Sequence, residues 1–367
     1  MKASFEANDG DQCDILAEQV RAACESLSPV FVTGGETKLR EGRPVEAAPV
    51  SVLGHRGIID YTPTELVITV RAGTPLSEIE AQLAEAKQML PFEPPHLGEG
   101  ATIGGTIACG LSGPRRPYAG AARDVVLGTR IVNGSGEILS FGGQVMKNVA
   151  GYDVSRLMVG AQGTLGVLLD ISLKVLPVPE WEQTLCLQQT EDEAIEFVNR
   201  LASKPVPLSG ACFVPEGKDK KGQLWLRLSG VETAVKVAKK ELGGELIEVG
   251  KQFWLDVRER NLDFFHQVGQ QPGALWRLSL PPASAPLQLP GPCLVDWGGA
   301  QRWLITEASA QEVIEVAHKL GGHATFYSNQ GAVFSPLTPA LSALHQRLKD
   351  KFDPKRILNP GRLYEGL

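Results

Sequence analysis

This sequence predicts an α+β chain in two domains, the first glycine-rich and the second smaller, with a ferredoxin-like order of strands and helices. Three observations predict it. Glycine, 40 of 367 residues, is concentrated before residue 170, and glycine at that density marks backbone that approaches something closely. Short apolar runs alternate with segments of helical spacing throughout. Pro177 and Pro179 then close a long apolar run, and beyond them the pattern reads β-α-β-β-α-β.

In the first part, Ile15, Leu16, Val20, Ala23 and Leu27 recur at helical spacing, which predicts an amphipathic helix over 12–27. Strands follow at 29–33, 50–53 and 66–71, with an edge element at 57–61. Thr74 as N-cap and Pro75 at the first position open a helix to about Lys87. Residues 91–123 are rich in Pro and Gly and read as holding little regular structure. Asn133-Gly134-Ser135-Gly136 joins strands 125–132 and 137–141 as a hairpin. A short helix at 152–159 and a strand at 166–175 complete the part.

The second part reads as a strand from Thr184, helix 191–203, strands 208–214 and 223–229, helix 231–242 and strand 245–249. Later signals are a strand at 303–306, a helix at 309–320 and a strand at 323–327. Leu242-Gly243-Gly244 and Leu320-Gly321-Gly322 each end a helix before a strand, which is either a weak internal duplication or C-cap chemistry alone. A last helix covers 338–351. The expected domains are therefore 1–180, 181–335 and a C-terminal segment, 336–367, that returns to the first.

The net charge of −6 argues against a broad nucleic-acid surface. The one dense basic run, Lys218 to Lys221 broken by Asp219, reads as a solvated turn. No stretch approaches the ~20 apolar residues of a membrane span, and the acidic, polar start is not a signal peptide. Cysteines 13, 24, 109, 186, 212 and 293 are scattered without a CxxC, a pattern of reduced thiols rather than of a metal cluster. A cytoplasmic protein is expected.

Three runs carry chemistry. Thr33-Gly34-Gly35-Glu36-Thr37 follows a strand, so its successive N–H groups can face one concavity and hold an anion; an ordinary turn is the alternative. Thr102-Ile103-Gly104-Gly105-Thr106, running on to Gly110, offers hydroxyls and bare backbone suited to a diphosphate, or a buried tight bend. Asn148, Gly151 and Tyr152, followed by Gly163 and Gly166, form the third, which also reads as a strand–helix–strand link with turn glycines. None is a GxGxxG between strand and helix, and no Walker A lysine is present.

Taken together and in this order, the runs closely resemble the FAD-binding domain of the vanillyl-alcohol oxidase / p-cresol methylhydroxylase (PCMH-type) flavoproteins, over about 30–180 and the last thirty residues. The resemblance implies a two-subdomain FAD-binding domain with a smaller ferredoxin-like α+β cap. It places the FAD diphosphate at Thr33 to Thr37 and Thr102 to Thr106, leads the chain past the flavin at Arg123 and Asp124, and completes the pocket with Asn148, Gly151, Tyr152, Gly163, Gly166 and the closing Asn359. Within the superfamily, the run from Pro95 to Arg116 resembles the E subunits of bacterial glycolate oxidases. That resemblance implies oxidation of glycolate to glyoxylate beside a larger flavin subunit and an iron–sulfur subunit, with any membrane association only through those partners. Relatives with covalent FAD carry a His after the first Gly-Gly or a Cys in the later loop. Glu36 and Ser112-Gly113-Pro114 stand at those places here, so noncovalent FAD is expected.

Relatives that oxidise 2-hydroxy acids alone use a cluster of His and acidic residues, often with a metal. This chain has six His. His318 and His323 straddle a helix end, and His55 and His96 read as loop histidines; no metal site and no catalytic residue are assigned. Arg115 and Arg116 read either as an anion-binding pair or as an exposed pair packed on Tyr118. A complex subunit inactive in isolation, a stand-alone FAD enzyme on another hydroxy acid or alcohol, and a flavin-free scaffold all remain open.

Overall fold

The computed structural model describes residues 10–143, 152–217, 221–270, 272–328 and 330–367. It divides into two compact units, one of residues up to 112, 120–178 and 336–367, the other of 113–119 and 179–335.

The first unit opens with helix α1 (Cys13–Ser26), which buries Leu16, Ala17, Val20 and Ala23 on one face. Strands β1 (Val30–Thr33) and β2 (Ala48–Ser51) pair in parallel. A five-stranded antiparallel sheet is built from β3 (Ile58–Thr62), β4 (Val67–Arg71), β5 (Val126–Val132), β6 (Ile138–Gly142) and β7 (Val167–Lys174), in the order β3-β4-β7-β5-β6. β7 lies at its centre and is buried on both faces, its apolar residues interrupted only by Asp170 and Ser172 before Lys174 at its end. Helices α2 (Leu76–Glu85) and α3 (Ile103–Cys109) bury Leu76, Ile79, Leu83, Ile103 and Ile107 in the same core as Ile68, Val70, Leu169 and Ile171.

Two local expectations are corrected here. Thr74 does not cap α2: its hydroxyl donates to the Arg71 carbonyl (2.7 Å) and accepts from the Gly57 amide (2.9 Å), tying two loops together. The stretch 91–123 is not without regular structure, because α3 forms inside it. Thr102 supplies the cap, accepting from the Gly105 amide (3.2 Å), and this offsets the weak helix propensity of two glycines.

The second unit holds β8 (Trp181–Thr190), α4 (Glu191–Leu201), β9 (Leu208–Pro215), β10 (Lys221–Gly230), α5 (Glu232–Leu242), β11 (Glu245–Ile247), α6 (Gly250–Glu259), β12 (Ala274–Ser279), β13 (Cys293–Asp296), β14 (Gln301–Thr306), α7 (Ala310–Lys319), β15 (His323–Ser328) and β16 (Gly331–Phe334). All join one nine-stranded sheet, β11-β8-β10-β9-β13-β14-β12-β15-β16. The first four strands have the ferredoxin-like order. The next four repeat it as a mirror image across the β9–β13 junction: β13, β14, β12 and β15 occupy the places of β9, β10, β8 and β11. α5 links β10 to β11 as α7 links β14 to β15, so the two Leu-Gly-Gly signals mark a real structural repeat. They are also C-cap chemistry, since Gly243 and Gly321 both have positive φ.

α4 and α7 each open on a capping box, Thr190 with Glu193 and Ser309 with Glu312. The strands β12, β13 and β16 and the helix α6 carry no clear periodic signal and were not expected. The chain ends with α8 (Pro339–Phe352) in the first unit. Beyond it, the Val30 amide donates to the Ile357 carbonyl (2.8 Å) and the Asn359 amide to the Val30 carbonyl (3.0 Å), so the tail lies alongside β1. Among the described residues no helix is long and apolar enough to cross a membrane.

Candidate functional site

An open cleft lies wholly within the first unit, where β1, the loop after it, α3, the 162–166 loop and the C-terminal tail meet. Of the expected site residues, Thr33, Gly34, Gly35, Glu36, Thr37, Thr102, Gly104, Gly105, Gly163, Gly166 and Asn359 line it.

The two glycine runs are brought together by close packing. A Cβ on Gly34 would stand 2.6 Å from Thr102 Oγ1, and one on Gly35 would collide with the Gly100 carbonyl oxygen. The loop after β1 is therefore confined to glycine because another backbone passes against it. Among the described residues, the amides of Gly34, Gly35, Glu36 and Thr37 donate to no protein acceptor. Glu36 has φ +57°, in a turn of the kind that gathers successive N–H groups on one side. Lys38 is almost fully buried beside them, its Nζ donating to the His96 carbonyl (3.0 Å) and to Thr37 Oγ1 (3.3 Å). Unpaired donors next to a held cation suit an anion.

The expectation that the amides of 102–106 share in this cradle is corrected. Ile103 N–H donates to the Thr74 carbonyl (3.0 Å), Gly104 N–H to that of Ala72 (2.8 Å) and Thr106 N–H to that of Thr102 (3.0 Å). With Gly105 N–H on Thr102 Oγ1, the protein itself uses the amides of residues 103–106. The glycines serve closeness instead. A Cβ on Gly104 would sit 2.7 Å from the Ala72 carbonyl oxygen, whereas at Gly105 only Thr102 Oγ1 (3.2 Å) stands near, leaving its bare Cα on the cleft. Val32, Val52, Ala72, Ala108 and Leu168 add apolar wall. Unpaired amides on one side and apolar wall on the other fit a dinucleotide, with the diphosphate at 34–37 and ring systems on the wall.

The tail closes the site. Asn359 has φ +43°, a left-handed conformation that asparagine tolerates. Its Oδ1 accepts from the Val32 amide (2.7 Å) and its Nδ2 donates to the Gln162 carbonyl (2.6 Å), joining β1 to the 162–166 loop. Asn359→Ala is expected to cost about 1–3 kcal/mol, the penalty for stranding buried backbone partners, as measured by urea unfolding. Asn359→Gly, which keeps the backbone freedom, is expected to lose a similar amount; a glycine variant as stable as the parent would contradict this account of the side chain.

Several expected residues lie elsewhere. Ile103 and Thr106 are fully buried in the core, and Gly110 caps the end of α3 with φ +65°. Arg123 and Asp124 are exposed in a short helix, Asp124 accepting from the Ala121 amide (2.9 Å). Tyr152 is 96% exposed. Asn148 and Gly151 lie outside the described residues. In the second unit, Arg115 pairs with Glu182 (2.9 Å) and Arg116 stacks over Trp297 (4.2 Å), so both have structural partners.

Two cleft residues, Gln162 and Arg362, were missed. Arg362 is nearly buried and donates to the carbonyls of Arg43 (2.6 Å), Leu39 (2.8 Å) and Lys38 (3.3 Å). Burial lowers its pKa from the usual guanidinium value, opposed by the charge of Glu41 among others. Gln162 Nε2 donates to the Glu41 carbonyl (2.7 Å). Their only sequence signal is position, one beside Gly163 and the other just past Asn359-Pro360-Gly361.

None of the six histidines lines the cleft. His55 is fully buried; its Nδ1 accepts from the Gln12 amide (3.0 Å) and its Nε2 faces Asp170 Oδ1 (3.1 Å), itself paired with Arg130. Both ring nitrogens are thus engaged. Cys13 nearby is a thiol, pushed up to about 12 by burial. His96 pairs with Glu80 (3.1 Å).

Comparison with known proteins agrees with this geometry. Residues 12–142 match the FAD binding domain family, and residues 293–363 match the C-terminal domain of FAD linked oxidases. Glycolate oxidase subunit GlcE of Escherichia coli is 49% identical over 97% of this chain and 99% of its own length. Glycolate oxidase subunit GlcD of Bacillus subtilis is 33% identical over 53% of this chain and 42% of its own length. A D-lactate dehydrogenase of Archaeoglobus fulgidus is 27% identical over 95% of this chain and 88% of its own. The fold is that of a solved alkyldihydroxyacetonephosphate synthase, with TM-score 0.66 and 17% identity over 95% of this chain and 75% of that one. An FAD-dependent oxidoreductase of PCMH-type fold, this chain belongs to the family of glycolate oxidase subunit GlcE.

Proposed function

We propose that this chain is the E-type, FAD-binding subunit of a glycolate oxidase complex, holding FAD noncovalently and assembling with a larger flavin subunit and an iron–sulfur subunit. The observation that carries this reading is the 49% identity to the Escherichia coli GlcE subunit across nearly the whole of both chains. Domain roles follow: 1–180 with 336–367 holds the cofactor, and 181–335 serves substrate or partner.

When bound, FAD supplies two-electron acceptance from the α-carbon of a 2-hydroxy acid or from a partner flavin. The protein's part is to bind and orient. The amides of 34–37 and Lys38 receive the diphosphate, while Val52, Ala72, Ala108 and Leu168 exclude water from the rings. No histidine stands in the cleft to take the hydroxyl proton, which favours a subunit that is inactive alone.

The test is purification of the tagged chain with and without its co-expressed partners, followed by a glycolate assay with an artificial acceptor. Expected are a bound flavin, no turnover alone and turnover in the complex. Robust turnover by the lone chain would favour a stand-alone enzyme, and a colourless protein a flavin-free scaffold.

A further inference from the structure

The loop from Glu36 to Arg43 has little backbone pairing of its own. Within it, Leu39 N–H reaches the Glu36 carbonyl at 3.3 Å and Glu41 N–H the Lys38 carbonyl at 3.1 Å. Its other anchors come from residues remote in sequence. The Arg362 guanidinium takes the carbonyls of Lys38, Leu39 and Arg43, and the Arg362 carbonyl accepts the Arg43 amide (3.0 Å). Gln162 Nε2 takes the Glu41 carbonyl (2.7 Å). Both side chains line the cleft.

We propose that Arg362 is a positioning residue for the FAD diphosphate, acting through the loop it holds. This rests on the reading that the cleft takes FAD. The guanidinium fork meets three carbonyls at once in a fixed plane, and so sets the path of residues 38–43 directly after the four unpaired amides. Its hydrogen bonds are directed at protein carbonyls, so its effect on the cofactor is exerted through where those amides stand. A lysine could place one ammonium near the same carbonyls but not the planar fork.

The experiment titrates apoprotein with FAD, following flavin fluorescence, for the parent, Arg362→Met, Arg362→Lys and Arg362→Ala, with thermal unfolding measured in parallel. Arg362→Met is expected to weaken FAD by about 10- to 100-fold, the scale of loss when an outer-shell group that orients the ligand-holding groups is removed. Arg362→Lys is expected to fall between it and the parent, and added methylguanidinium to restore part of the loss in Arg362→Ala. A merely structural arginine would lower the unfolding midpoint but leave FAD affinity of the folded protein unchanged, and that result overturns the proposal. If Arg362→Met does not fold, Arg362→Lys decides by the same criterion: weakened FAD supports the role and parental affinity ends it. A parent chain that takes up no FAD would sink the functional reading instead.

Discussion

Gly35→Val is expected to yield a protein without flavin. A Cβ at this position collides with the Gly100 carbonyl oxygen, a backbone atom that cannot swing aside as a side-chain end could. Gly100 itself has φ +82° and precedes the Ala101–Thr102 step into α3, so the loop carrying the unpaired amides must move rather than its neighbour. Overpacking of this kind costs about 1–3 kcal/mol of stability. The loss in FAD affinity should be larger, about 100-fold or more, because four donors move together away from the diphosphate and each hydrogen bond to a charged group is worth about 1.5–3 kcal/mol. The measurement is the visible absorption of the purified variant, then titration with FAD. A yellow variant of parental affinity would mean that this loop does not shape the site.

The second large effect is expected from Lys349→Met. Lys349 and Asp353 form an almost completely buried ion pair on α8 (2.8 Å). The ammonium also donates to the carbonyls of Leu358 (2.7 Å) and Thr164 (2.8 Å), while Asp353 accepts the amides of Ile357 (3.1 Å) and Leu358 (2.7 Å). Burial lowers the lysine's pKa from its usual value, and the neighbouring Asp353 carboxylate opposes part of that drop. Removing the ammonium leaves Asp353 buried without its cation, which should cost about 3–5 kcal/mol. Urea unfolding of the first unit, followed through Tyr61 and Tyr364 exposure or hydrogen exchange, is the check. A loss below about 1 kcal/mol, the size of an exposed pair, would contradict the account.

Much of the architecture was legible because periodicity and capping residues agree with tertiary context. α1, α4, α5 and α7 follow their apolar stripes, and Asn133-Gly134-Ser135-Gly136 joins β5 to β6. α3 was hidden because glycine lowers helix propensity. Its Gly104 is required by the approach of Ala72, a contact that the sequence around residue 104 does not display. β12 and β13 flank the proline-rich stretch 281–292, which obscures their pattern.

The cleft was legible in outline, since the glycine runs do converge on it. Gly34, Gly35 and Gly104 all let protein pack on protein, and the sequence could not show that the amides at 34–35 stay unpaired while that of Gly104 is taken by the Ala72 carbonyl. Gln162 and Arg362 escaped notice because they act on backbone carbonyls more than a hundred residues away, where no local spacing records the partnership.

Hydrogen exchange at the amides of Gly34, Gly35, Glu36 and Thr37, measured with and without FAD, addresses the cofactor site most directly. Strong slowing at these four on FAD addition, with little change at the already paired amides of Ile103 and Gly104, is the predicted result. Unchanged exchange at 34–37 in protein that demonstrably holds FAD would place the diphosphate elsewhere.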